Sequence, residues 1–306
     1  MKRLVSIGEC MLELSAAKGD LWRMGIAGDT LNTAWYARAC LPADWVVAYG
    51  TCIGTDEVSQ RIPTFLAENG RETDRVLTHP TRSVGLYMIS LHDGERSFTY
   101  WRDTSAARTL ANDPDQLLAL TADANVLHVS GITLAILPPV GRAALIEVLR
   151  QRRSEGCTIS FDPNLRPRLW ENPQSAVEAL TEMARVATIV LPSFDDERTA
   201  FGDATPDDTV TRYVALGADT VVVKNGGGRI AASHGGRRSE FDGFARVTPV
   251  DTTGAGDSFN GAFLAALASG QPLHEAVASG HCIARQVVGH RGGLMPKDKI
   301  NKTQMD

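Results

Sequence analysis

The sequence predicts a three-layer α/β fold with a mostly parallel sheet and a second, smaller β-sheet. From about residue 125 onward, short apolar runs typical of buried strands alternate with helical patterns, which indicates a parallel sheet. Before that point, two strand patterns form a hairpin that lies outside this alternation. No repeat, low-complexity tract or linker interrupts the 306 residues. We therefore expect a single domain over residues 1–306, in which the hairpin and the α/β core fold together.

The individual elements follow from apolar runs and from their start and stop signals. Residues 4–7 form a short apolar strand that ends at Gly8, and a helix follows over about 29–39. The stretch 54–69 predicts a second helix, which Gly70 closes. Further strands are predicted at 46–49, 85–92, 95–102, 126–129, 158–161, 188–191 and 220–223, and further helices at about 139–153 and 273–288.

Composition and charge exclude several classes of protein. The net charge of −5 gives no reason to propose nucleic-acid binding. The apolar run at the N-terminus is too short for a signal peptide, and no stretch approaches the length of a membrane span. The cysteines are odd in number and lack metal-site spacing, which argues against a disulfide framework or a zinc site and favours a reducing cytoplasm. They are Cys10, Cys40, Cys52, Cys157 and Cys282.

One stretch, Gly254-Ala255-Gly256-Asp257, combines an anion-binding turn with a carboxylate. The two glycines allow a phosphate to approach the N–H groups at the start of the following helix, where the helix dipole favours an anion. An acid at this position would repel a phosphate, unless it accepts the proton of an attacking hydroxyl. The combination therefore fits phosphoryl transfer to an alcohol. In a second interpretation, which these residues alone leave open, Asp257 or Ser258 only caps the helix.

Two better-known glycine motifs do not match this stretch. A P-loop requires a lysine directly after its last glycine, and none follows here. A dinucleotide-binding fingerprint requires a third glycine at the position of Phe259. An NAD-linked dehydrogenase is therefore disfavoured.

The run Asp251-Thr-Thr-Gly-Ala-Gly-Asp-Ser-Phe259 resembles the C-terminal signature of the ribokinase-like (PfkB) family of sugar kinases. The resemblance extends over nearly the whole chain, from Gly8 to about Gly293. It implies that Asp257 is the catalytic base, and that the backbone from Gly254 through Ala255 and Gly256 to Asp257 forms the anion hole for the transferring phosphate. It also implies a small β-sheet that closes over the sugar as a lid, formed here by segments about 10–26 and 84–103.

Three polar or small residues open the first predicted helix, Gly28, Asp29 and Asn32. Asp29 and Asn32 lie one turn apart, and their side chains can accept from and donate to vicinal hydroxyls of a sugar. Capping of the helix by Asp29 is the alternative interpretation. The N-terminal motif of the family is similar, and the resemblance implies that all three residues contact the sugar.

The hairpin pattern is centred on Asp93-Gly94, a strong signal for a two-residue loop. With that loop, Tyr87 lies opposite Tyr100 and Gly85 opposite Arg102, so the tyrosines and the arginine share one face. Two phenols and a guanidinium suit a polyhydroxylated acid. The alternative is an ordinary amphipathic hairpin whose aromatic residues pack on the core. The pattern resembles the lid of 2-keto-3-deoxygluconate kinases, in which the matching residues contact the sugar acid.

Polar residues follow the predicted strand at 158–161, in the run Asp162-Pro-Asn164-Leu-Arg166. Open parallel sheets bind their ligands at this end of a strand, and Arg166 could hold a carboxylate or a phosphate. A surface turn set by the prolines is the alternative. The run resembles the keto-deoxy-gluconate branch of the family, which implies that Arg166 contacts the substrate and that Asn164 lies near the nucleotide.

Two further loops resemble the nucleotide side of the family's site. Many members carry Asn-x-x-Glu in a network of Mg²⁺ and phosphate, where this chain has Ser193 and Asp196. The loop Lys-x-Gly-x-x-Gly is matched at Lys224 and Gly226, whereas its last position is Arg229. No residue is assigned as a direct metal ligand. The residues that the resemblance assigns to the nucleotide are Asn164, Lys224, Gly226, Gly227, Gly254 and Gly256.

The resemblance is closest to the 2-keto-3-deoxygluconate kinase branch, and it implies that ATP, with Mg²⁺, phosphorylates the terminal hydroxyl of a sugar acid. A kinase for a neutral sugar such as fructose or ribose is the alternative within the class. A non-catalytic sugar or nucleotide sensor on the same fold is an alternative from another class. The expected partners are a small-molecule sugar acid and a second copy of the chain, which could cover the exposed edge of the lid.

Overall fold

The computed structural model describes residues 1–17, 19–92 and 95–301. Its strands fall into two separate sheets, one large and one small. In chain order the strands are β1 (Lys2–Ile7), β2 (Met11–Ala16), β3 (Trp22–Ala27), β4 (Trp45–Gly54), β5 (Val76–His79), β6 (Gly85–His92), β7 (Glu95–Trp101), β8 (Val126–Ser130), β9 (Thr158–Asp162), β10 (Ile189–Val190), β11 (Thr220–Val223), β12 (Ile230–His234) and β13 (Arg237–Phe241).

The large sheet has nine strands in the order β13-β12-β11-β10-β9-β8-β1-β4-β5. The strands from β11 across to β5 run parallel to one another, and β12 and β13 are antiparallel additions at one edge. The prediction of a mostly parallel sheet is therefore confirmed. Because the strands are parallel, the segments that leave their carboxyl ends meet along one edge of the sheet.

Helices cover both faces of the large sheet, which gives the three predicted layers. Alternate strand residues enter different cores. Leu4 packs in one hydrophobic cluster with the helices within residues 29–68 and 255–288, and Val5 in a second with the helices within residues 114–215. Among the described residues, no helix is both long and apolar enough to cross a bilayer. The helices are α1 (Asp29–Cys40), α2 (Arg61–Glu68), α3 (Pro114–Thr121), α4 (Gly131–Ile136), α5 (Pro139–Ser154), α6 (Pro173–Val186), α7 (Phe194–Phe201), α8 (Pro206–Ala215), α9 (Ala255–Ala268) and α10 (Leu273–Val288), with single 3₁₀ turns at Ala106–Thr109, Pro167–Leu169 and Lys297–Lys299.

The helix predicted over 54–69 begins seven residues late, at Arg61, and this prediction of its start is wrong. The side chain of Asp56 accepts hydrogen bonds from the amide and the hydroxyl of Ser59, at 2.9 and 2.7 Å, and from the hydroxyl of Ser83 at 2.7 Å. These bonds hold residues 55–60 as a turn that packs against a distant segment. A local pattern cannot reveal this, because one of the three donors comes from residue 83.

The small sheet has the order β3-β2-β6-β7. The predicted register of its hairpin is confirmed, because Tyr87 pairs with Tyr100. The proposed loop itself, Asp93-Gly94, lies outside the described residues. Alternation along the strands places Tyr87 and Tyr100 on one face, and Trp101 on the opposite face.

Helices α1 and α9 are in unusually close contact, and this contact positions the candidate site. A Cβ atom on Gly261 would lie 2.5 Å from the carbonyl oxygen of Thr33 and 2.8 Å from the amide nitrogen of Ala37. Only glycine allows the two backbones to approach in this way. The N-terminal turns of the two helices are therefore held side by side.

Candidate active site

The N-terminus of α9 forms a backbone anion site. Gly254, the N-cap, has φ +76°, and a Cβ there would lie 2.9 Å from both the Cα and the carbonyl oxygen of Gly293. The Ala255 amide donates to the carbonyl of Thr252 at 3.2 Å and is already used. Within the described part of the chain, the amides of Gly256 and Asp257 have no acceptor. These are the donors that can meet an anion.

Asp257 lies in the first turn of α9 and faces α1. Its Oδ2 accepts a hydrogen bond from Nδ2 of Asn32 at 2.8 Å, so two residues predicted for the site meet directly. Burial, followed by the charges of Asp29 and Asp162, raises the pKa of Asp257 to about 7, although Asn32 and Lys224 oppose the shift. A carboxylate with a pKa near neutrality is suited to accept a proton from a hydroxyl.

Asp29 and Asn164 also meet, with Nδ2 of Asn164 donating to Oδ2 of Asp29 at 3.0 Å. The backbone amide of Asn164 donates to Oδ1 of Asp162 at 3.1 Å, and this tight turn holds Asn164 at φ +33°. The sequence predicted Asn164 near the nucleotide. The structure places its side chain against Asp29, next to the residues predicted for the sugar, and Gly28 begins the same helix turn.

A buried polar network lies behind the anion site. Oδ2 of Asp162 accepts from Nζ of Lys224 at 2.6 Å and from Nδ2 of Asn260 at 2.6 Å, and Lys224 also donates to Oδ1 of Asn260 at 3.0 Å. A Cβ on Gly256 would lie 3.4 Å from Nζ of Lys224, so the ammonium group is directly behind the amides. Sequence analysis assigned no role to Asp162 or Asn260. The position of Asp162 at the carboxyl end of β9 was the signal that could have identified it.

The small sheet brings the predicted aromatic residues together on the face that carries Arg102. The ring centroids of Tyr87 and Tyr100 are 5.7 Å apart, and the Arg102 guanidinium lies 5.9 Å from the Tyr100 ring. Tyr87 is buried, whereas Tyr100 is half-exposed. Burial, and then the charge of Glu13, raise the pKa of Tyr87, whose hydroxyl donates to the Glu13 carboxylate.

Arg102 already has an acidic partner within the protein. Its Nη2 donates to Oε2 of Glu9, and only 7% of Arg102 and 2% of Glu9 are exposed. Oε1 of Glu9 and Nε of Arg102 have no hydrogen-bond partner in the described structure. Glu9 therefore neutralises the charge of Arg102, but Nε of Arg102 still lacks a hydrogen bond. Glu9, two residues after the end of β1, was not predicted as a site residue because it forms no local motif with Arg102.

Arg166 lies at the more open side of the site. Its guanidinium is 3.7 Å from Oδ2 of Asp196, and its side chain is 51% exposed. Burial raises the pKa of Asp196, although the charge of Arg166 opposes this. The loop after β10 thus faces the loop after β9. Arg166 retains more freedom than Arg102 to bind an anionic group.

Gly226 and Gly227 belong to a turn that follows Lys224. The Gly228 amide donates to the carbonyl of Asn225 at 2.7 Å, and Gly226 has φ +53°. A Cβ on Gly227 would lie 3.4 Å from the side chain of Arg246. Lys224 provides the link between this turn and Asp257, because its charge acts on the Asp257 carboxyl.

The arrangement is suited to transfer an anionic group to a hydroxyl. A carboxylate that can accept a proton lies in the same helix turn as two free amides, with an ammonium group behind them. Across residues 1–17, 19–92 and 95–301, no group of three or more His, Cys, Asp or Glu side chains is arranged to hold a metal ion.

Comparisons with known proteins agree with this chemistry. Residues 1–300 match the family described as "pfkB family carbohydrate kinase". A protein from Haemophilus influenzae named 2-dehydro-3-deoxygluconokinase is 36% identical, with 100% of this chain and 99% of the relative covered. The crystal structure of a PfkB protein from Polaromonas sp. JS666 superimposes with a TM-score of 0.83 at 27% identity, covering 95% and 96% of the two chains. A fructokinase from Xylella fastidiosa with bound ATP has the same fold, with a TM-score of 0.81 at 21% identity and coverage of 95% and 93%.

Proposed function

Because the chain belongs to the pfkB family of carbohydrate kinases, we propose that it transfers the γ-phosphoryl group of ATP to the terminal hydroxyl of 2-keto-3-deoxygluconate. The relatives matched over the full chain at 36% identity are named for this activity. The observation that carries the chemical assignment is the position of Asp257. Its carboxylate is held by Asn32 and adjoins the free amides of α9.

In the proposed reaction, the Asp257 carboxylate accepts the proton of the terminal hydroxyl. The oxygen of that hydroxyl forms a bond to the γ-phosphorus, and the bond between this phosphorus and the β–γ bridging oxygen breaks to release ADP. Asn32 orients the carboxylate through its 2.8 Å hydrogen bond. The raised pKa of Asp257 makes it a better proton acceptor than an ordinary carboxylate.

The amides of Gly256 and Asp257 would stabilise the negative charge of the moving phosphoryl group. Gly254 allows the sharp turn that presents them, and Ala255 begins the helix whose dipole supports them. Lys224 adds positive charge from behind, held in place by Asp162 and Asn260 rather than free in solution. This fixed arrangement requires no reorganisation when charge develops.

The sugar would lie between the N-terminus of α1 and the small sheet. Gly28, Asp29 and Asn32 offer backbone and side-chain groups to its hydroxyls, and Asn164 fixes the Asp29 carboxylate. The small sheet would act as the lid, with Tyr87 and Tyr100 covering the sugar. Closure would exclude water, which competes as a phosphoryl acceptor.

Two arginines would hold the acid end of the substrate. Arg166 is half-exposed and can bind the carboxylate directly. Arg102 is oriented by Glu9, and its unpartnered Nε remains as a donor. Because Glu9 cancels the charge of Arg102, we assign the larger electrostatic contribution to Arg166.

ATP would bind along the loop that contains Lys224, Gly226 and Gly227. We further propose that Mg²⁺ accompanies ATP and neutralises charge on its phosphates. The carboxylates present fit such an ion. Asp162 is already paired with Lys224, whereas the half-buried carboxylate of Asp196 remains for a contact with Mg²⁺ through water.

A kinase for a neutral sugar is the competing assignment within the family. It requires no anion-binding group at the far end of the sugar, which is the role we propose for Arg102 and Arg166. The decisive measurement is ADP release with Mg-ATP across 2-keto-3-deoxygluconate, its galacto epimer, gluconate, fructose and ribose. Turnover confined to the 2-keto acids supports the assignment. Turnover with fructose or ribose instead would retain Asp257 as the base and reject the sugar-acid assignment.

We also propose that the protein self-associates through its small sheet and acts in the cytoplasm. The small sheet exposes large apolar side chains, among them Trp101 and Met24, which water disfavours. All five cysteines are free thiols. A reducing compartment that contains ATP fits both the thiols and the proposed substrate.

A further inference from the structure

Three cationic side chains gather around Trp35, in the second turn of α1. The guanidinium of Arg71 lies 4.4 Å from the Trp35 ring centroid, and Nζ of Lys297 lies 5.0 Å from it. Arg38 is close enough for its charge to act on both groups. We call Arg38, Arg71 and Lys297 the Trp35 cation cluster.

The cluster has no acidic partner within the described residues, whereas the other buried arginines, Arg75, Arg102 and Arg142, each have one. Arg71 and Lys297 both donate to a single carbonyl, that of Asn69, while Arg38 donates to the carbonyls of Leu41 and Pro42 at 2.8 and 2.9 Å. Burial and the neighbouring positive charges lower the pKa of Lys297 to about 8. The like charges therefore repel one another without compensation from a carboxylate.

Arg71 is the group that indicates a ligand. It is only 4% exposed, yet its Nε and Nη2 have no hydrogen-bond partner in the described structure. A buried donor without an acceptor destabilises the folded state, and a charged donor does so more strongly. Stacking on Trp35 satisfies the flat face of the guanidinium but not the N–H groups at its edge. Lys297 is partly exposed, so a ligand of the cluster would approach from its side.

We propose that the Trp35 cation cluster binds a phosphate dianion, either free or as a phosphate monoester. The planar fork of Arg71 matches two phosphate oxygens, and Lys297 and Arg38 supply the remaining positive charge. A dianion fits better than a single carboxylate because three positive charges converge. This proposal does not depend on the identity of the sugar substrate.

The cluster is connected to the anion site by short hydrogen bonds. Nε1 of Trp35 donates to the carbonyl of Met295 at 2.9 Å, and the Tyr36 hydroxyl donates to the carbonyl of Gly293 at 2.8 Å. Gly293 packs directly on Gly254. A bound anion would hold Lys297 against Arg71 and would thereby stabilise the C-terminal segment behind the anion site.

The test measures binding rather than turnover. Inorganic phosphate and glucose 6-phosphate are titrated into the full chain by calorimetry, with sodium chloride at matched ionic strength as the reference, and thermal midpoints are recorded in parallel. We expect phosphate to bind and to raise the midpoint by several degrees, as mass action requires for a ligand of the folded state. Stronger binding of inorganic phosphate would identify the free anion, and stronger binding of glucose 6-phosphate would identify the monoester.

Arg71→Met retains the apolar stem on Trp35 and removes the fork, and Lys297→Met removes the partly exposed charge. Both variants should weaken the phosphate affinity at least tenfold. Lys299→Met is the matched control, because Lys299 is exposed on the same 3₁₀ turn and should retain the affinity. Phosphate bound at the N-terminus of α9 would persist in all the variants. Equal phosphate binding in the unaltered chain and in both cluster variants, or no phosphate binding at all, would overturn the proposal.

Discussion

Asp257 is the residue at which the proposed chemistry is concentrated, because burial, two acidic groups and one ammonium group act on its proton affinity. Burial and the nearby charges of Asp29 and Asp162 raise its pKa, and Lys224 lowers it. The same charges would also act on an incoming phosphate. A carboxylate with too low a pKa would accept no proton from the hydroxyl. A carboxylate without neighbouring cations would repel the substrate.

Replacement of Asp257 by Asn should remove the proton acceptor while retaining the shape of the site. We expect kcat to fall by roughly 10²–10⁴-fold, the usual contribution of a general base, with little change in ATP affinity. Steady-state kinetics and ATP titration of the variant test this. Turnover within a factor of about three of the unaltered enzyme would exclude Asp257 as the base.

The expected pH dependence of kcat/KM follows from the ionisation of Asp257. Since the base acts as the carboxylate and its pKa is raised to about 7, the active fraction increases as the pH rises through that value. We expect kcat/KM for the sugar acid to fall about tenfold per pH unit below the pKa of the base. Asp196→Asn serves as the control, since the pKa of Asp196 is also raised. If the fall of kcat/KM at low pH disappears in that variant, Asp196 is the group that causes it instead.

The Glu9–Arg102 pair requires a double substitution, because removal of one partner leaves a buried charge and costs about 3–5 kcal/mol. Glu9→Gln combined with Arg102→Met removes both charges together. We expect the affinity for the 2-keto sugar acid to fall roughly tenfold through loss of a charge-assisted hydrogen bond, with little change for a neutral sugar such as fructose. Calorimetry with both sugars distinguishes a role of the pair in binding the sugar acid from a role in shaping the lid. An equal loss for both would show that the pair only shapes the lid.

At the scale of elements, the contact between α1 and α9 determines whether the site exists. Asn32 and Asp257 come from different helices, and their 2.8 Å hydrogen bond requires the two backbones to be close. Gly261 provides this closeness one turn after Asp257. The glycine therefore serves the site without touching a substrate.

Gly261→Ala should force the two helices apart, because its Cβ would lie 2.5 Å from the carbonyl oxygen of Thr33. We expect a loss of about 1–3 kcal/mol in the free energy of unfolding, as for other overpacked sites, together with reduced turnover. Urea unfolding measures the first effect. Gly141→Ala is the control, because its Cβ would meet nothing closer than 3.5 Å and should leave stability unchanged or raise it by up to about 1 kcal/mol. Similar stabilities for the two variants would refute the packing argument.

At the scale of the whole molecule, the small sheet has two different faces. One carries Tyr87, Tyr100 and Arg102 towards the proposed substrate. The opposite face carries Trp101, which is 53% exposed, and Met24, which is 43% exposed. An apolar face of this kind is typical of a contact surface.

Sedimentation should therefore show a dimer or a larger assembly at micromolar concentration. Trp101→Lys should shift the protein towards the monomer by placing a charge in the contact. Val140→Lys, at an 83% exposed position on α5, should have no effect on assembly. An unaltered chain that sediments only as a monomer would contradict self-association through the sheet.

Local patterns in the sequence predicted those features that are determined by neighbouring residues. The register of Tyr87 against Tyr100 was predicted from the Asp93-Gly94 pattern, because the length of a hairpin loop fixes which residues pair. The strand–helix alternation predicted the parallel sheet, since each buried strand must be apolar and each crossover needs a helix. The run that ends in Asp257 identified the turn before α9 because its glycines and its acid are adjacent in the chain.

Only the tertiary structure decided which distant side chains meet. Arg102 pairs with Glu9 across 93 residues, Lys224 with Asp162 across 62, and Asn164 with Asp29 across 135. No periodicity links such positions, because the partners are brought together by strand order and helix packing rather than by spacing along the chain. The motifs thus identified many of the groups in the site, but not Glu9, Asp162 or Asn260. The fold determined their charge and orientation, since both depend on neighbours that are remote in sequence.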